Sequence, residues 1–262
     1  MVEWPGGARG ALCLSFDNLG VDGASSAAQA LPGLLKRLGE HDLAATFFVE
    51  GVNAELDPGA LQEVGAGGHE VAYHAWRHET WGELAVTEQA DNLARGVAAF
   101  AGLGLEIAGM RPPGGQLGPG GVEVLREAGL SYASPAGAGA GVENEIALLP
   151  FQWLHVDASC ILPSLGAVRN EMTGSPDPLE AGAFLSYLET EIDRLEGEGG
   201  FLSIVLHLPL LDWLGESKLD SILNKLSSTQ SWVARCDEIT EHILAEPEAF
   251  VSGASLDPTS WT

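Results

Sequence analysis

The sequence predicts an α/β fold, a distorted (β/α) barrel of about seven parallel strands, and three observations predict it. Short apolar runs of strand character alternate with longer amphipathic stretches of helical period along most of the chain. Strands separated by helices pair in parallel through right-handed crossovers, and seven or so such units fit a barrel better than an open doubly wound sheet. Polar residues gather immediately after the strands, at the end of a parallel barrel where sites are built.

Residues 11–16 form an apolar run that reads as the first strand, and 24–38 a helix with Leu31, Leu34, Leu35 and Leu38 on one face. Residues 45–49 are the second strand, followed by a helix around Leu61, and 70–73 the third. Thr87 is the expected N-cap of a helix through Phe100. Residues 107–110 read as a strand, 121–128 as a helix, and 130–133 and 146–149 as shorter strands. A long helix is expected at 178–196, a buried strand at 201–206, and a helical stretch at 217–244. Residues 134–145 and 162–178, rich in Gly, Ala and Pro, read as long loops, and 246–262 as a polar tail on a single domain spanning 1–262.

A net charge of −25, from 37 acidic against 12 basic residues, makes nucleic acid and anionic membranes poor partners. No apolar run reaches membrane-spanning length, and residues 1–10 lack the features of a signal peptide. Cys13, Cys160 and Cys236 are odd in number and widely separated, which points to inert thiols in a reducing compartment. A cytoplasmic location is therefore expected.

Asp17 and Asn18 end the first strand, and His74 ends the third, with His78 four residues on. Arg111 follows the strand ending at Met110, and His207 ends the strand at 201–206. Each alone has an ordinary structural explanation, such as capping a helix or satisfying backbone groups. Their convergence on one barrel face does not. An i, i+4 histidine pair on a helical turn can grip a metal ion together, and Asn18 is the candidate third ligand, leaving a position for water.

These segments resemble the polysaccharide deacetylase (NodB homology) family. Ser15-Phe16-Asp17-Asn18 is similar to its T-F-D-D motif, and Ala45-Thr46-Phe47-Phe48-Val49-Glu50-Gly51 to its second strand. The segment from Gly68 to His78 resembles G-H-E-(I/V)-x-x-H-(S/T)-x-x-H, Arg111-Pro112-Pro113-Gly114-Gly115 resembles R-P-P-Y-G, and Val205-Leu206-His207 the late L-H motif. The resemblance runs from about residue 12 to 207.

It implies an N-deacetylase that hydrolyses linear amide bonds on a NodB-like barrel. Asp17 takes the position of the base that activates the attacking water, and Arg111 of the cation that holds it ionised. Asn18, His74 and His78 take the positions of ligands to a divalent metal, zinc by default. The Gly114 N–H takes the position of an oxyanion donor, and His207 of the acid that protonates the departing amine. Asp157 is the expected partner of His207, and Trp153 a candidate wall of the substrate groove or a core aromatic. The implied partner is a small-molecule or sugar-derived amide, and the resemblance also implies homo-oligomers.

Two departures from the motifs change the expectation. Asn18 stands for an Asp, so the metal is held less tightly, or Asp17 turns to it, or the protein works without one. Gly114 stands for a Tyr, keeping the N–H but losing a side chain that would line a sugar groove. Both favour the family's cytoplasmic relatives that open cyclic imides or allantoin, which His78-Glu79 and residues 149–153 also resemble. A non-catalytic binding domain of the same fold is the remaining alternative, and the kept pair Asp17 and His207 speaks against it.

Overall fold

A computed structural model describes residues 3–22, 26–250 and 254–256. Among the described residues nine strands form one sheet: β1 (Gly10–Asp17), β2 (Thr46–Val49), β3 (Glu70–Tyr73), β4 (Gly109–Met110), β5 (Tyr132–Ala133), β6 (Gly141–Glu143), β7 (Ile146–Leu148), β8 (Gly200–His207) and β9 (Trp232–Val233). Their order is β6-β7-β5-β4-β3-β2-β1-β8, with β9 beside the first half of β1. All pairs are parallel except β6 with β7.

Seven parallel strands lie on the main path, as the periodicity predicts, and they curl into a half-barrel. A single bridge, Val156 with Val205 of β8, spans the remaining gap. The helices are α1 (Ser26–Glu40), α2 (Asn53–Leu56), α3 (Pro58–Ala66), α4 (Val86–Ala101), α5 (Gly121–Glu127), α6 (Asp157–Ile161), α7 (Gly166–Thr173), α8 (Ala181–Glu198), α9 (Leu211–Leu214), α10 (Glu216–Ser228) and α11 (Cys236–Ala245).

Side-chain alternation sorts the two faces of the sheet. Leu12, Leu14 and Phe16 of β1, with Leu202, Ile204 and Leu206 of β8, pack outward into the large core shared with the helices. Ala11 and Cys13 point the other way, into a second cluster with Phe48, Ala72, Tyr132 and Ala147. Cys236, Ile239 and Ile243 of α11 belong to the same cluster, so α11 plugs the curl at the N-terminal end of the strands. There Glu70 accepts hydrogen bonds from Thr46 Oγ1 and Tyr132 Oη, both at 2.7 Å, and burial pushes its carboxyl up to about 8.

Several local expectations change. The predicted loop at 134–145 contains β6, which forms a hairpin with β7 through Asn144 and Glu145, both left-handed (φ 47° and 67°), the geometry of a tight two-residue turn. The predicted loop at 162–178 contains α7, between Pro163 and the left-handed Gly174. The helical stretch at 217–244 is two helices divided by β9. Helix α4 starts one residue before Thr87, and Glu88 Oε2 accepts the Ala85 N–H at 2.8 Å in its first turn. In the predicted tail Phe250 is buried and Ser255 pairs with Ala138. The predicted helix start at 24 lies outside the described residues, as do 251–253 and 257–262 of that tail. Among the described residues no helix is long and apolar enough to cross a membrane.

Arg169 of α7 is almost fully buried, and its guanidinium donates to the carbonyls of Ser159, Leu162 and Pro176 at 2.7–2.9 Å. It clips together the segment that walls the site described next. Arg169→Met leaves those carbonyls without their donor and is expected to cost about 2–4 kcal/mol in urea unfolding. An unchanged midpoint contradicts this role.

Candidate active site

The inward positions continue past the strand ends. Residue parity carries Ser15 and Asp17 in β1, His74 after β3, Arg111 after β4, Ser134 after β5, and Ser203 and His207 in β8 to the same side. They meet at the C-terminal end of the half-barrel. There Asp17, Asn18, His74, His78, Arg111, Gly114, Trp153 and His207 line one cavity of about 380 Å³. Asp157 lies behind His207, so all nine candidates from the sequence are brought together.

Arg111, only 1% exposed, donates from Nη1 to Asp17 Oδ1 at 2.5 Å and to Ser15 Oγ at 2.8 Å. Its Nε and Nη2 donate to Ser134 Oγ, and Nη2 also to Ser203 Oγ. The guanidinium lies 4.0 Å from the Phe48 ring centroid, so all five N–H groups and one face are engaged. Burial pushes the Asp17 carboxyl up from the ordinary carboxylate range, against the downward pull of Arg111 and His207.

His207 and Asp17 are register partners on adjacent strands. His207 Nδ1 is 2.6 Å from Asp157 Oδ1, and its backbone N–H donates to Asp157 Oδ2 at 2.8 Å. The buried carboxylate therefore fixes the Nδ1–H tautomer and the ring's orientation. Burial alone lowers the imidazole's pKa. The charge and hydrogen bond of Asp157, with Asp17 adding to them, outweigh it and raise the net value.

His74 Nδ1 lies 2.8 Å from the Arg111 carbonyl oxygen, so that nitrogen carries the proton and Nε2 keeps its lone pair, 4.0 Å from Asp17 Oδ2. Burial, reinforced by His78, drives His74 well below the usual imidazole range, and burial also lowers His78. The two ring centroids are 4.9 Å apart. The i, i+4 spacing works here without a helix. Residues 75–77 form a turn, with Ala75 and His78 left-handed (φ 60° and 63°), and Trp76 N–H is anchored on Asn92 Oδ1 at 3.0 Å.

Asn18 is left-handed too (φ 66°), and among the described residues its buried Oδ1 has no hydrogen-bond partner. Backbone strain of this kind gathers at functional sites. Glu50, buried, holds the loop in place by accepting the N–H groups of Leu19 and Gly20 at 3.1 and 3.2 Å. Among the described residues no three His, Cys, Asp or Glu side chains are gathered to hold a metal ion. A third donor beside the histidines falls to Asn18 Oδ1, and its orphaned, buried carbonyl oxygen suits that role.

Gly114 is left-handed (φ 78°), where a side chain is strained, and among the described residues its N–H has no protein partner. Trp153 is half-buried and packs edge-on against Phe151, a wall of the cavity and not part of the main core. Ser15, Ser134, Ser203, Glu50 and Arg169 were not singled out from sequence. Only the inward parity of the three serines could have marked them.

The polysaccharide deacetylase family model matches residues 7–133. The peptidoglycan-N-acetylglucosamine deacetylase PgdA of Listeria monocytogenes is 32% identical over 120 residues, 45% of this chain and 24% of that protein. The chain thus matches about a quarter of that relative's length. The fold is shared with a polysaccharide-deacetylase-like protein from Mycobacterium smegmatis (TM-score 0.81, 22% identity, 98% of this chain and 96% of that one). It is shared also with the PuuE allantoinase (TM-score 0.74, 19% identity, 93% of each chain). The similarity to the polysaccharide deacetylase family thus covers residues 7–133, just under half of the chain, and a NodB-like fold runs through nearly its whole length.

Proposed function

We propose that the protein is a hydrolase of C–N bonds other than peptide bonds, acting on linear amides as an N-deacetylase. One observation supports this above all. Two ionisable groups face a single cavity as register partners, each backed by its own buried counter-charge, Asp17 by Arg111 and His207 by Asp157. Environments that tune two groups separately are the mark of an acid–base pair.

In this reading Asp17 takes the proton of the attacking water as its oxygen bonds to the carbonyl carbon. The Gly114 N–H donates to the carbonyl oxygen as charge builds on it. His207 gives its Nε2 proton to the nitrogen as the C–N bond breaks, releasing amine and carboxylate. Trp153 lies against the bound substrate. A divalent metal, zinc by preference, would be held by His74 Nε2, His78 and Asn18 Oδ1, and when bound it supplies Lewis-acid activation of water and carbonyl. Three free, buried cysteines support a cytoplasmic location and one domain of reduced thiols.

Cyclic-amide ring opening is the second reading. The neutral Asn18 in a ligand position and the small cavity favour it, and it uses Asp17 and His207 in the same roles.

Two measurements test these roles. Zinc titrated calorimetrically into the protein is expected to bind one ion per chain, to bind about tenfold more tightly in Asn18→Asp, where a charged ligand is added, and to be lost in His74→Ala. No binding in any of the three removes the metal from the proposal. The acid must be protonated, so kcat/KM falls as pH rises through the pKa of His207. Asp157→Asn removes what raises that pKa and is expected to move the alkaline limb of the profile to lower pH. A limb that stays in place, or moves up, contradicts His207 as the acid.

A further inference from the structure

We infer that the substrate carries a compact apolar body, an aryl or branched alkyl group on a small neutral amide, and not a sugar ring. This rests on the amide-hydrolysing reading above and adds the substrate class.

The ionisable groups occupy one end of the cavity. Most of the rest of its wall is apolar, with Phe151, Trp153, Val156, Leu162, Leu165 and Leu210 its large side chains. Phe151 and Val156 belong to a small apolar cluster separate from both larger cores, and Trp153, Leu165 and Leu210 lie on it only partly buried. Leu162, at 40% exposure, is among the few large apolar side chains left open to solvent. Half-exposed apolar groups around a concavity form a surface that an apolar ligand covers.

A pyranose needs a donor or acceptor for each hydroxyl it buries, and each one left unpaired weakens binding. Beyond the ionisable end, the Ser164 hydroxyl and the Trp153 indole N–H are the polar side-chain groups among the described lining residues, too few for a ring of hydroxyls. Beyond the ionisable end an anionic group on the substrate lacks a counter-charge as well. Arg111 is the one Lys or Arg among those residues, and all five of its N–H groups are taken. At about 380 Å³ the cavity sits near the lower end of ligand sites and suits one ring-sized group rather than a polymer.

The test is calorimetric binding of N-acetyl-2-phenylethylamine and N-acetylglucosamine to the wild-type protein and to Leu165→Asn/Leu210→Asn, with turnover of both amides followed in parallel. The aryl amide is expected to bind at least about tenfold more tightly than the sugar, and the double variant to weaken the aryl amide about tenfold while leaving the sugar unchanged. The wild-type comparison stands even if the double variant fails to fold. Equal or tighter sugar binding, or no binding of either amide, overturns the inference. So does an unchanged aryl affinity in the folded variant. An aryl amide that binds but is not cleaved sinks the hydrolase reading and leaves this inference standing. A sugar that binds more tightly and is cleaved does the reverse.

Discussion

Arg111→Met is expected to lower the unfolding free energy by about 3–5 kcal/mol, the largest stability effect of any single substitution in the site. The guanidinium is 1% exposed and engages Asp17, Ser15, Ser134 and Ser203. Methionine fills much of its volume but leaves Asp17 as a buried carboxylate without its cation. The loss therefore comes mainly from the orphaned charge and less from packing. That origin is separable. Asp17→Leu/Arg111→Met removes both charges and is expected to recover about 2–3 kcal/mol relative to Arg111→Met alone, because a buried pair is costly to break and often cheap to replace whole. Urea midpoints for the wild type, both single variants and the double variant give the coupling. A double variant no more stable than Arg111→Met would show that the arginine acts through packing.

The strand ends were legible in the sequence because parallel, doubly buried strands read as apolar runs, and a polar residue just beyond one stands out. Asp17, His74, Arg111 and His207 could be placed on one face on that basis. What surrounds them was not legible. Ser15, Ser134 and Ser203 are ordinary residues for a strand, and only their common inward direction around one guanidinium gives them a role. Asp157, fifty positions before its partner His207, was expected only through the family resemblance, because no periodicity links a short helix start to a strand end.

Composition misled at residues 134–145, where Gly and Ala suggested a loop. The β6–β7 hairpin depends on two left-handed residues, Asn144 and Glu145, and the second is an unusual choice for that conformation. Composition misled again at 162–178, where prolines and a glycine bound α7 at its ends instead of excluding it. The histidine spacing suggested a helical turn, and strained backbone at Ala75 and His78 does the same work. Strain of that kind runs against local preference, so local preference could not reveal it.

Asp17→Asn is expected to lower kcat/KM by about 10²–10⁴-fold, the span attributed to a positioned general base, with the fold retained. The amide is nearly isosteric with the carboxylate, and its oxygen can still accept from Arg111 Nη1, so the cavity keeps its shape. It cannot take a proton from water. The measurement that bears most directly on the central claim is release of free amine or ring-opened acid from a panel of N-acetyl amines and cyclic imides, by the wild type and by Asp17→Asn. Steady turnover of at least one amide by the wild type is expected, with a loss of two orders of magnitude or more in a folded variant. Turnover of the same amide at an undiminished rate by Asp17→Asn would contradict it, because the bond would then be cleaved without the group placed to activate the water.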